Sequence, residues 1–246
     1  GKIIPARGVW IEIAPEADNV IYVRIDRKRK FVITSMLRVL GAETDEVIRQ
    51  LFAGNEVAKI FIEASLVKDH AKTPNESFIE IHKRLRDGEI GTVENAKEFV
   101  RGIFGADRYD LSKVGRFKFN KRFGKPMEGK NADRRTISLD DLTTIINQIA
   151  LLNVTPGALE DDIDHLGSRR VRYVGEMLQQ KVRVGLTQMK RNIQDRMSTV
   201  DPDVNQPLQF ISAKPLQARI KEFFTTNPLS QFMDQGNILA EIEHLR

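Results

Sequence analysis

The sequence predicts an α+β fold: a mostly helical domain that begins with a β-hairpin, followed by part of a second α+β domain. Two observations predict this class. Apolar and polar residues alternate over Val9–Ile13 and Val20–Ile25, which is typical of strands with one buried face. Most later segments instead carry apolar residues at helical spacing, and several of them follow a residue type that commonly caps a helix.

A third observation divides the chain. Asn153–Leu159 contains Pro156 and Gly157, which are typical of a connection between structured elements. We therefore expect one domain over residues 1–158 and a second over residues 159–246. A chain of 246 residues is long enough for two domains with their own apolar cores.

The composition limits the function. Apolar residues make up 41% of the chain and charged residues 30%, with a net charge of +5 that favours a polyanionic partner. Because the chain has no cysteine, disulfides and thiolate metal sites are excluded. No apolar run reaches the length of a membrane span, and Gly1–Pro5 lacks the pattern of a signal peptide. We expect a soluble, cytoplasmic protein that contacts no membrane.

The predicted hairpin ends in a cationic run. Its two strands are joined through Pro15, Asp18 and Asn19, which are turn-forming residues. The second strand leads into Arg24–Lys30, where five of seven residues are basic. This run is either a solvated strand end or a contact for nucleic-acid phosphates.

Helices dominate the rest of the first domain. Val32–Leu40 is apolar and is followed by Gly41, a common residue just after a helix. Four further helix patterns are predicted by their caps: Thr44 with Asp45 and Glu46; Thr73 with Pro74 and Glu76, in a helix ending near Asp87-Gly88; Thr92–Ile103; and Ser138 with Asp140 and Asp141. These elements predict a scaffold and no chemistry.

A basic stretch with interleaved aromatic residues follows. Ser112–Arg135 holds nine Lys and Arg residues against Glu128 and Asp133, and it includes Phe117 and Phe119. Such a pattern can bind nucleic acid through stacking and phosphate neutralisation. Alternatively, both phenylalanines lie on one face of a strand and pack inward, and we favour that interpretation for the aromatic residues.

The segment Asp161–Glu176 carries the most distinctive chemistry: three aspartates, a histidine and then three arginines. Its spacing lacks the frame of a calcium loop, no second histidine follows at i+4, and the arginines would repel a cation. The chain also has no nucleophile elbow and no glycine-rich phosphate loop, so we predict no catalytic site. Recognition is the better interpretation.

Within that segment, Asp164 and the arginines are the candidate recognition residues. A carboxylate facing nucleic acid is useful when it accepts hydrogen bonds from a base edge, such as the N–H groups of an unpaired guanine. The alternative is a salt bridge from Asp164 to Arg169 that holds the turn together. One or two arginines can reach phosphates while another pairs with Asp161 or Asp162.

Beyond this segment, Val174–Met197 predicts one long helix or two. Its candidate inward residues are Met177, Leu178, Leu186, Met189 and Ile193. An irregular break is expected at Asp201-Pro202-Asp203, after which Pro215 opens a short helix ending at Phe223-Phe224.

A series of motifs resembles one family, the β subunit of bacterial DNA-dependent RNA polymerase. The matching segments occur in the family's order over nearly the whole chain: Lys2–Trp10, Val23–Lys30, Arg108–Leu111, Val114–Arg116, Asp161–Glu176, Arg183–Leu186, Ala213–Leu216, Lys221–Phe224 and Leu229–Gln235. The resemblance implies an interior portion of that subunit: the β2 lobe, then the returning part of the β1 protrusion and the edge of the fork and rifamycin region.

The resemblance also implies partners and roles. The family's lobe and protrusion line the downstream DNA channel and contact the non-template strand near the path of nascent RNA. The polymerase magnesium belongs to the β′ subunit, so no cofactor is expected in this chain. Expected partners are the rest of β, the β′, α, ω and σ subunits, and transcription or repair factors, in the cytoplasm at the bacterial nucleoid.

Individual residues are similar to the family's functional positions. Trp10 resembles a tryptophan that stacks on an unpaired non-template base. Asp164 and Arg169 resemble members of a pocket for the next, guanine-preferring base, and Ile163 would form its wall. The rifamycin cluster beside the RNA path is matched by Gln231, Phe232, Asp234 and His244.

Some positions depart from the family pattern. Ser168 replaces the usual Asn, and the changes near the chain's end are Pro228, Gly236, Ile238, Glu243 and Leu245 in place of Gln, Asn, Pro, Thr and Lys. The arginine and serine that complete the family's drug pocket lie beyond Arg246. A rival hypothesis is a stand-alone interaction module that docks transcription or repair factors, and weak salt dependence of binding would favour it.

Overall fold

The computed structural model describes residues 1–86, 91–126, 129, 133–199 and 207–246. Over these residues the chain forms two units, unit 1 (Gly1–Glu160) and unit 2 (Asp161–Arg246). The predicted α+β class is confirmed, because a small antiparallel sheet is followed by a chain that is mostly helical.

The predicted hairpin is confirmed and lies at the centre of a four-stranded antiparallel sheet. Its strands, in sheet order, are β1 (Lys2–Ile3), β2 (Ile11–Pro15), β3 (Ile21–Ile25) and β4 (Phe31–Val32). The register pairs Ile11 with Ile25 and Ile13 with Val23. Because side chains alternate along strands, all four of these residues share the fully buried face.

Seven helices complete the described part of unit 1: α1 (Ile33–Val39), α2 (Asp45–Leu51), α3 (Glu56–Lys68), α4 (Pro74–Leu85), α5 (Val93–Phe104), α6 (Ser112–Arg122) and α7 (Leu139–Val154). The predicted caps Thr44, Thr73, Thr92 and Ser138 are confirmed, since each side chain accepts a hydrogen bond from a backbone N–H of its first turn. The predicted end of the helix that Thr73 caps, near Asp87-Gly88, lies outside the described residues.

The apolar core of unit 1 lies between the sheet and its helices. α1, α3 and α4 contact the sheet, while α5 packs on α4 and α7 packs on α3. The apolar residues that α4 and α7 carry at helical spacing, Phe78, Ile81, Leu142, Ile146 and Ile149, are buried in this core. In α4 and α7 the buried face is therefore the one on which the sequence repeats apolar residues at helical spacing.

The interpretation of Phe117 and Phe119 as an inward strand face was wrong. They belong to α6, and Phe117 is 55% exposed, whereas Phe119 is half-buried and packs against Phe123 with ring centroids 4.7 Å apart. The physical reason is that the inward face of α6 is polar. Arg116 and Asn120, one helical turn apart, are the buried residues of this helix.

Two buried carboxylates give unit 1 a predicted pH dependence. Burial alone would raise the pKa of Asp110 and Asp141. Hydrogen bonds from Ser112 N–H and Arg135 to Asp110, and from Arg116 and Ser138 to Asp141, outweigh burial and lower both pKa values. Because the folded-state pKa lies below the unfolded one, this stabilisation is complete above the unfolded pKa of about 4 and disappears as pH falls through the folded value.

We therefore expect the melting temperature of the chain to change little between about pH 7 and pH 5 and to fall below about pH 4. Thermal unfolding followed by circular dichroism across this range measures it. Asp141→Asn should weaken the acid dependence, whereas Asp107→Asn, at an exposed position, should leave it unchanged. An acid dependence that is identical in all three proteins would contradict the assignment.

The regular structure in the described part of unit 2 consists of helices: a short 3-10 turn (Leu166–Ser168), α8 (Val174–Thr199), α9 (Pro207–Phe210), α10 (Lys214–Thr226) and α11 (Ile238–Leu245). The long pattern after the arginines is one helix, and the predicted break at 201–203 lies outside the described residues. Although α8 has 26 residues, neither it nor any other described helix combines the length and apolar character that a membrane span needs.

One predicted inward residue of α8 was wrong. Leu186 is 44% exposed, and the buried position is its neighbour Gly185. The backbone of α10 passes so close that a Cβ at position 185 would lie 3.0 Å from Leu216 Cα. The packing of α8 on α10 therefore requires a residue without a side chain, Gly185. A pattern of apolar residues cannot predict such a position.

Candidate nucleic-acid-binding surfaces

The Asp161–Arg172 segment is irregular, and its own side chains organise it. The Asp162 carboxylate accepts hydrogen bonds from the backbone N–H groups of Asp164 (3.0 Å) and His165 (3.1 Å). His165 Nδ1 accepts one from Gly167 N–H at 3.0 Å. These bonds form an Asx-type turn that leads into the 3-10 turn. Asp162 and His165 therefore shape the backbone.

The candidate pocket residues lie together in this same segment. Ile163 is 74% exposed, and Asp164 and Arg169 are also exposed. Among the described residues, Asp164 and Arg169 form no salt bridge with each other, so the alternative that such a bridge holds the turn is not observed. A carboxylate, a guanidinium and an apolar side chain thus face solvent within seven residues of one another.

Arg170 has a different role from Arg169. Its guanidinium makes a bidentate salt bridge with Glu176, with Nη1 2.9 Å from Oε2 and Nη2 in contact with Oε1. Glu176 lies in the first turn of α8, where a carboxylate also favours the helix dipole. This pair ties the segment to α8. The sequence had not singled out Glu176 as the partner.

Trp10 lies in unit 1, just before β2, and is 39% exposed. The Arg27 guanidinium carbon lies 5.5 Å from the centre of its ring, within the range of a cation–π contact. Asp26 and Arg27 both have left-handed φ angles, 52° and 57°, and Asp26 N–H donates to Trp10 O at 2.9 Å. A tight turn therefore brings an arginine onto an exposed aromatic ring.

The cationic run after β3 is only partly occupied by internal pairs. Lys30 pairs with Glu16, with Nζ 2.5 Å from Oε1, and also lies 4.2 Å from the centre of the Tyr22 ring. Arg24 and Lys28 are exposed. One end of the run is therefore internally paired, whereas the end near Trp10 faces solvent. This exposed end fits both a solvated strand end and a contact for nucleic-acid phosphates.

The rifamycin-cluster candidates lie at the end of unit 2. Gln231, Phe232 and Asp234 are in an irregular stretch, and Phe232 is 96% exposed. Asp234 accepts a hydrogen bond from Gly236 N–H at 3.0 Å, and His244 is exposed on α11. Over the described residues this stretch has no packed wall around Phe232. These four residues are close in sequence, and the described residues leave the Phe232 ring open to solvent.

The sequence raised nucleic-acid binding as one alternative for the basic and aromatic stretch, but it did not predict that these residues lie on the outward side of a helix, α6. Helix α6 carries five cations and no carboxylate, and only Arg116 among the cations is buried. The sequence signal for this surface was the alternation of basic and aromatic residues, whose two phenylalanines were interpreted as the inward face of a strand. Helical spacing would have placed Lys113, Phe117 and Lys121 in one row.

Metal chemistry has no visible support. Among the residues that the structure describes, no three His, Asp or Glu side chains are grouped in a way that would hold a metal ion. Of the acidic residues in this segment, Asp162 accepts hydrogen bonds from backbone N–H groups and Asp164 is exposed.

Comparison with known proteins gives two findings. The family described as RNA polymerase Rpb2, domain 2, matches residues 1–172. The chain is also 41% identical over 245 residues to the DNA-directed RNA polymerase subunit beta of Syntrophomonas wolfei subsp. wolfei, an alignment covering 99% of this chain and 21% of that protein. The chain therefore spans about a fifth of the length of this relative.

Proposed function

Because this chain belongs to the family of DNA-directed RNA polymerase β subunits, as its motifs predicted, we propose that it is the part of such an enzyme that lines the downstream DNA channel and contacts the non-template strand. The observation that carries the proposal is 41% identity over 99% of the chain. In this proposal unit 1 corresponds to the β2 lobe, and unit 2 to the returning β1 protrusion and the edge of the fork region.

The chain's role in nucleotidyl transfer is to hold nucleic acid, not to supply the reacting groups. Exposed cations near Trp10 and along α6, together with the net charge of +5, suit a phosphate backbone. Phosphate contacts of this type position the strand without reading its sequence. Sequence preference then depends on the few side chains that reach base edges.

Asp164 is the proposed base-reading residue. Its carboxylate oxygens can accept hydrogen bonds from the N–H groups of an unpaired guanine, which other bases cannot donate in the same arrangement. Arg169 offsets the repulsion between that carboxylate and the phosphates, and Ile163 covers the base from the side. Asp162, by capping the turn, directs the backbone so that Asp164 stays exposed.

Trp10 is the proposed stacking platform for a neighbouring unpaired base. With Arg27 against its ring, the indole is partly ordered before a base arrives, which reduces the entropy lost on binding. Stacking on an aromatic ring is tolerant of sequence, so Trp10 contributes affinity and Asp164 contributes preference.

Asp164→Ala is expected to remove the preference for guanine in the non-template strand. A bidentate base contact gives about 1–3 kcal/mol of discrimination, so the ratio of complex lifetimes on guanine and non-guanine templates should fall by about 10-fold. The measurement is the lifetime of the assembled polymerase on templates that differ at that one base. Asp195→Ala, an exposed carboxylate on α8, is the matched control and should keep the ratio.

Template-directed RNA synthesis tests the broader proposal. A polymerase assembled with and without residues 1–246 of this chain is compared, alongside the Asp164→Ala protein. Synthesis that needs the segment supports the polymerase function. If synthesis needs it but base preference is unchanged in Asp164→Ala, the function stands and Asp164 is structural. Synthesis that is indifferent to the segment would refute the function.

The proposed partners include the remainder of β and the β′, α, ω and σ subunits, in the cytoplasm of a bacterium, with nascent RNA near Phe232 and His244. Helix α11 supports a large apolar contact. Its residues Ile238, Leu239, Ile242 and Leu245 are all exposed and follow helical spacing. An apolar stripe of this kind is typical of a protein interface.

The stand-alone interaction module is the second candidate, and one observation favours it. Ile60 and Val67 are both exposed on α3, seven residues apart and so on one helix face. A partner docking there would bury apolar area, and its affinity would change little with salt. Binding that weakens steeply with salt instead favours the polymerase function.

A further inference from the structure

Helix α6 presents a cationic face whose direction is set by its buried side. Arg116 points inward, where Nη1 and Nη2 lie 2.8 and 2.9 Å from the two carboxylate oxygens of Asp141. Its Nε and Nη2 also donate to the backbone carbonyls of Arg134 and Thr136. Asn120, one turn later, is buried and donates to Pro126 O at 3.1 Å. These contacts leave α6 little freedom to rotate about its axis.

The start of α6 is held as firmly. Ser112 Oγ accepts a hydrogen bond from Gly115 N–H at 3.1 Å, which is the pattern of an N-cap. The Asp110 carboxylate accepts Ser112 N–H at 2.7 Å and pairs with Arg135, whose Nη2 lies 2.6 Å away. Because the start and the inner face of α6 are held by these contacts, the direction of its outer face is set.

Phe117 stands on that outer face, and its exposure differs from that of its neighbour. Phe119 is half-buried, with Arg116 and Lys125 near its ring and Phe123 packed against it. Phe117 is more than half exposed, and within the described part of the chain its ring contacts no other ring and no cation. Leaving an aromatic face in water is unfavourable unless a partner covers it.

Cations flank this ring on the same row. Lys113 precedes Phe117 by four residues and Lys121 follows it by four, so each lies about 6 Å along the helix axis from it. Both lysines are exposed, and within the described ranges neither forms a salt bridge. Lys125 is different, because it pairs with Asp140, with Nζ 2.5 Å from Oδ2. The free charges therefore coincide with the exposed ring.

We propose that the Lys113–Phe117–Lys121 row binds a single nucleic-acid strand, with an unpaired base stacked on Phe117 and a phosphate beside each lysine. The inference rests on the proposed function and adds a contact to it. The charge of the row selects a polyanion, and the exposed ring selects one with free base faces, which a paired duplex lacks. DNA and RNA share this chemistry, and the test below tells them apart.

The first test uses salt dependence in the assembled polymerase. Each phosphate contact to a single strand contributes about 0.7 to the slope of log affinity against log salt, so Lys113→Gln with Lys121→Gln should reduce that slope by about 1.4. Phe117→Leu should weaken the nucleic-acid complex by about 10-fold at any salt concentration. Lys59→Gln, at a lysine of α3 that pairs with Glu56, is the control and should change neither quantity.

Phe119→Leu separates packing from binding. It removes a half-buried ring, so it should lower the melting temperature while keeping the salt slope. Phe117→Leu should keep the melting temperature and weaken the nucleic-acid complex, because its side chain is exposed. Equal effects of the two substitutions on binding would overturn the proposal.

The second test identifies the strand. A photo-crosslinking amino acid replaces Phe117 in the assembled enzyme, with template DNA, non-template DNA and RNA carrying separate labels. A crosslink to an unpaired portion of one labelled strand supports the proposal and names that strand. A crosslink only to duplex DNA, only to an acidic protein, or to nothing overturns it. Template-directed synthesis by the same enzyme is measured in parallel, so failure of the row and failure of the proposed function give different results.

Discussion

Arg116→Met is expected to destabilise unit 1 by about 3–5 kcal/mol, because breaking a buried ion pair leaves an uncompensated buried charge. Asp141 would keep its hydrogen bond from Ser138 N–H at 3.1 Å and the Lys125 ammonium at 3.3 Å, but it would lose both guanidinium contacts. The carbonyls of Arg134 and Thr136 would also lose their donors. Chemical denaturation of the 246-residue chain measures the loss.

A double variant separates charge burial from packing. Arg116→Met combined with Asp141→Leu removes both charges together, so it should recover a large part of the lost stability. Lys125→Met is the matched control. Lys125 contacts Asp141 through one oxygen only, at 3.3 Å, so its loss should cost about 1 kcal/mol or less. Arg116→Met within about 1 kcal/mol of the parent protein would show that the pair does not hold α6 to α7.

Gly185→Val is expected to have the second largest effect, about 3 kcal/mol of destabilisation in unit 2. A Cβ at position 185 would lie 3.0 Å from Leu216 Cα and 3.2 Å from Leu216 Cδ1, and the first of these is backbone that cannot rotate away. The γ-methyl groups of valine add further overlap, so α8 and α10 would have to separate. Separation would also stretch the Lys181–Glu222 salt bridge, now 2.9 Å.

Hydrogen exchange of the α10 amides measures this effect locally, since loss of packing on α8 should speed their exchange. Gly175→Ala provides the control within the same helix. Among the described residues, no atom beyond the adjacent backbone of α8 lies within 4 Å of the Cβ position there, so alanine should gain helix propensity and stabilise α8 by up to about 1 kcal/mol. Slower or unchanged α10 exchange in Gly185→Val would contradict the close approach of the two helices.

The extent to which the sequence predicts the fold follows from the range of the interactions. The β2–β3 hairpin and the caps at Thr73 and Ser138 depend on residues a few positions apart, so pattern and residue type were sufficient to predict them. β1 and β4 have two residues each and acquire strand geometry only by pairing with the hairpin. A strand of two residues is too short to show an alternating pattern, so the sequence does not predict β1 or β4.

In the candidate sites, too, the sequence predicted some features and only the structure showed the others. Trp10, Asp164 and Arg169 were identified by their resemblance to family motifs, and their contacts were not. Only the structure shows that Arg170 forms a salt bridge with Glu176 and that Asp162 caps the turn. It also shows the contact between the Arg27 guanidinium and the Trp10 ring. Each of these depends on where a long side chain can reach after the backbone has turned.

What the sequence by itself determined is therefore the class of fold, the four helix starts at Thr44, Thr73, Thr92 and Ser138, and the family. Only the tertiary structure decided which side of α6 is buried and why α8 needs a glycine. Arg116 meets Asp141 across 25 positions, and Gly185 meets Leu216 on another helix. The free energy of such contacts depends on burial and on the partner's position, and neither is a property of the local sequence.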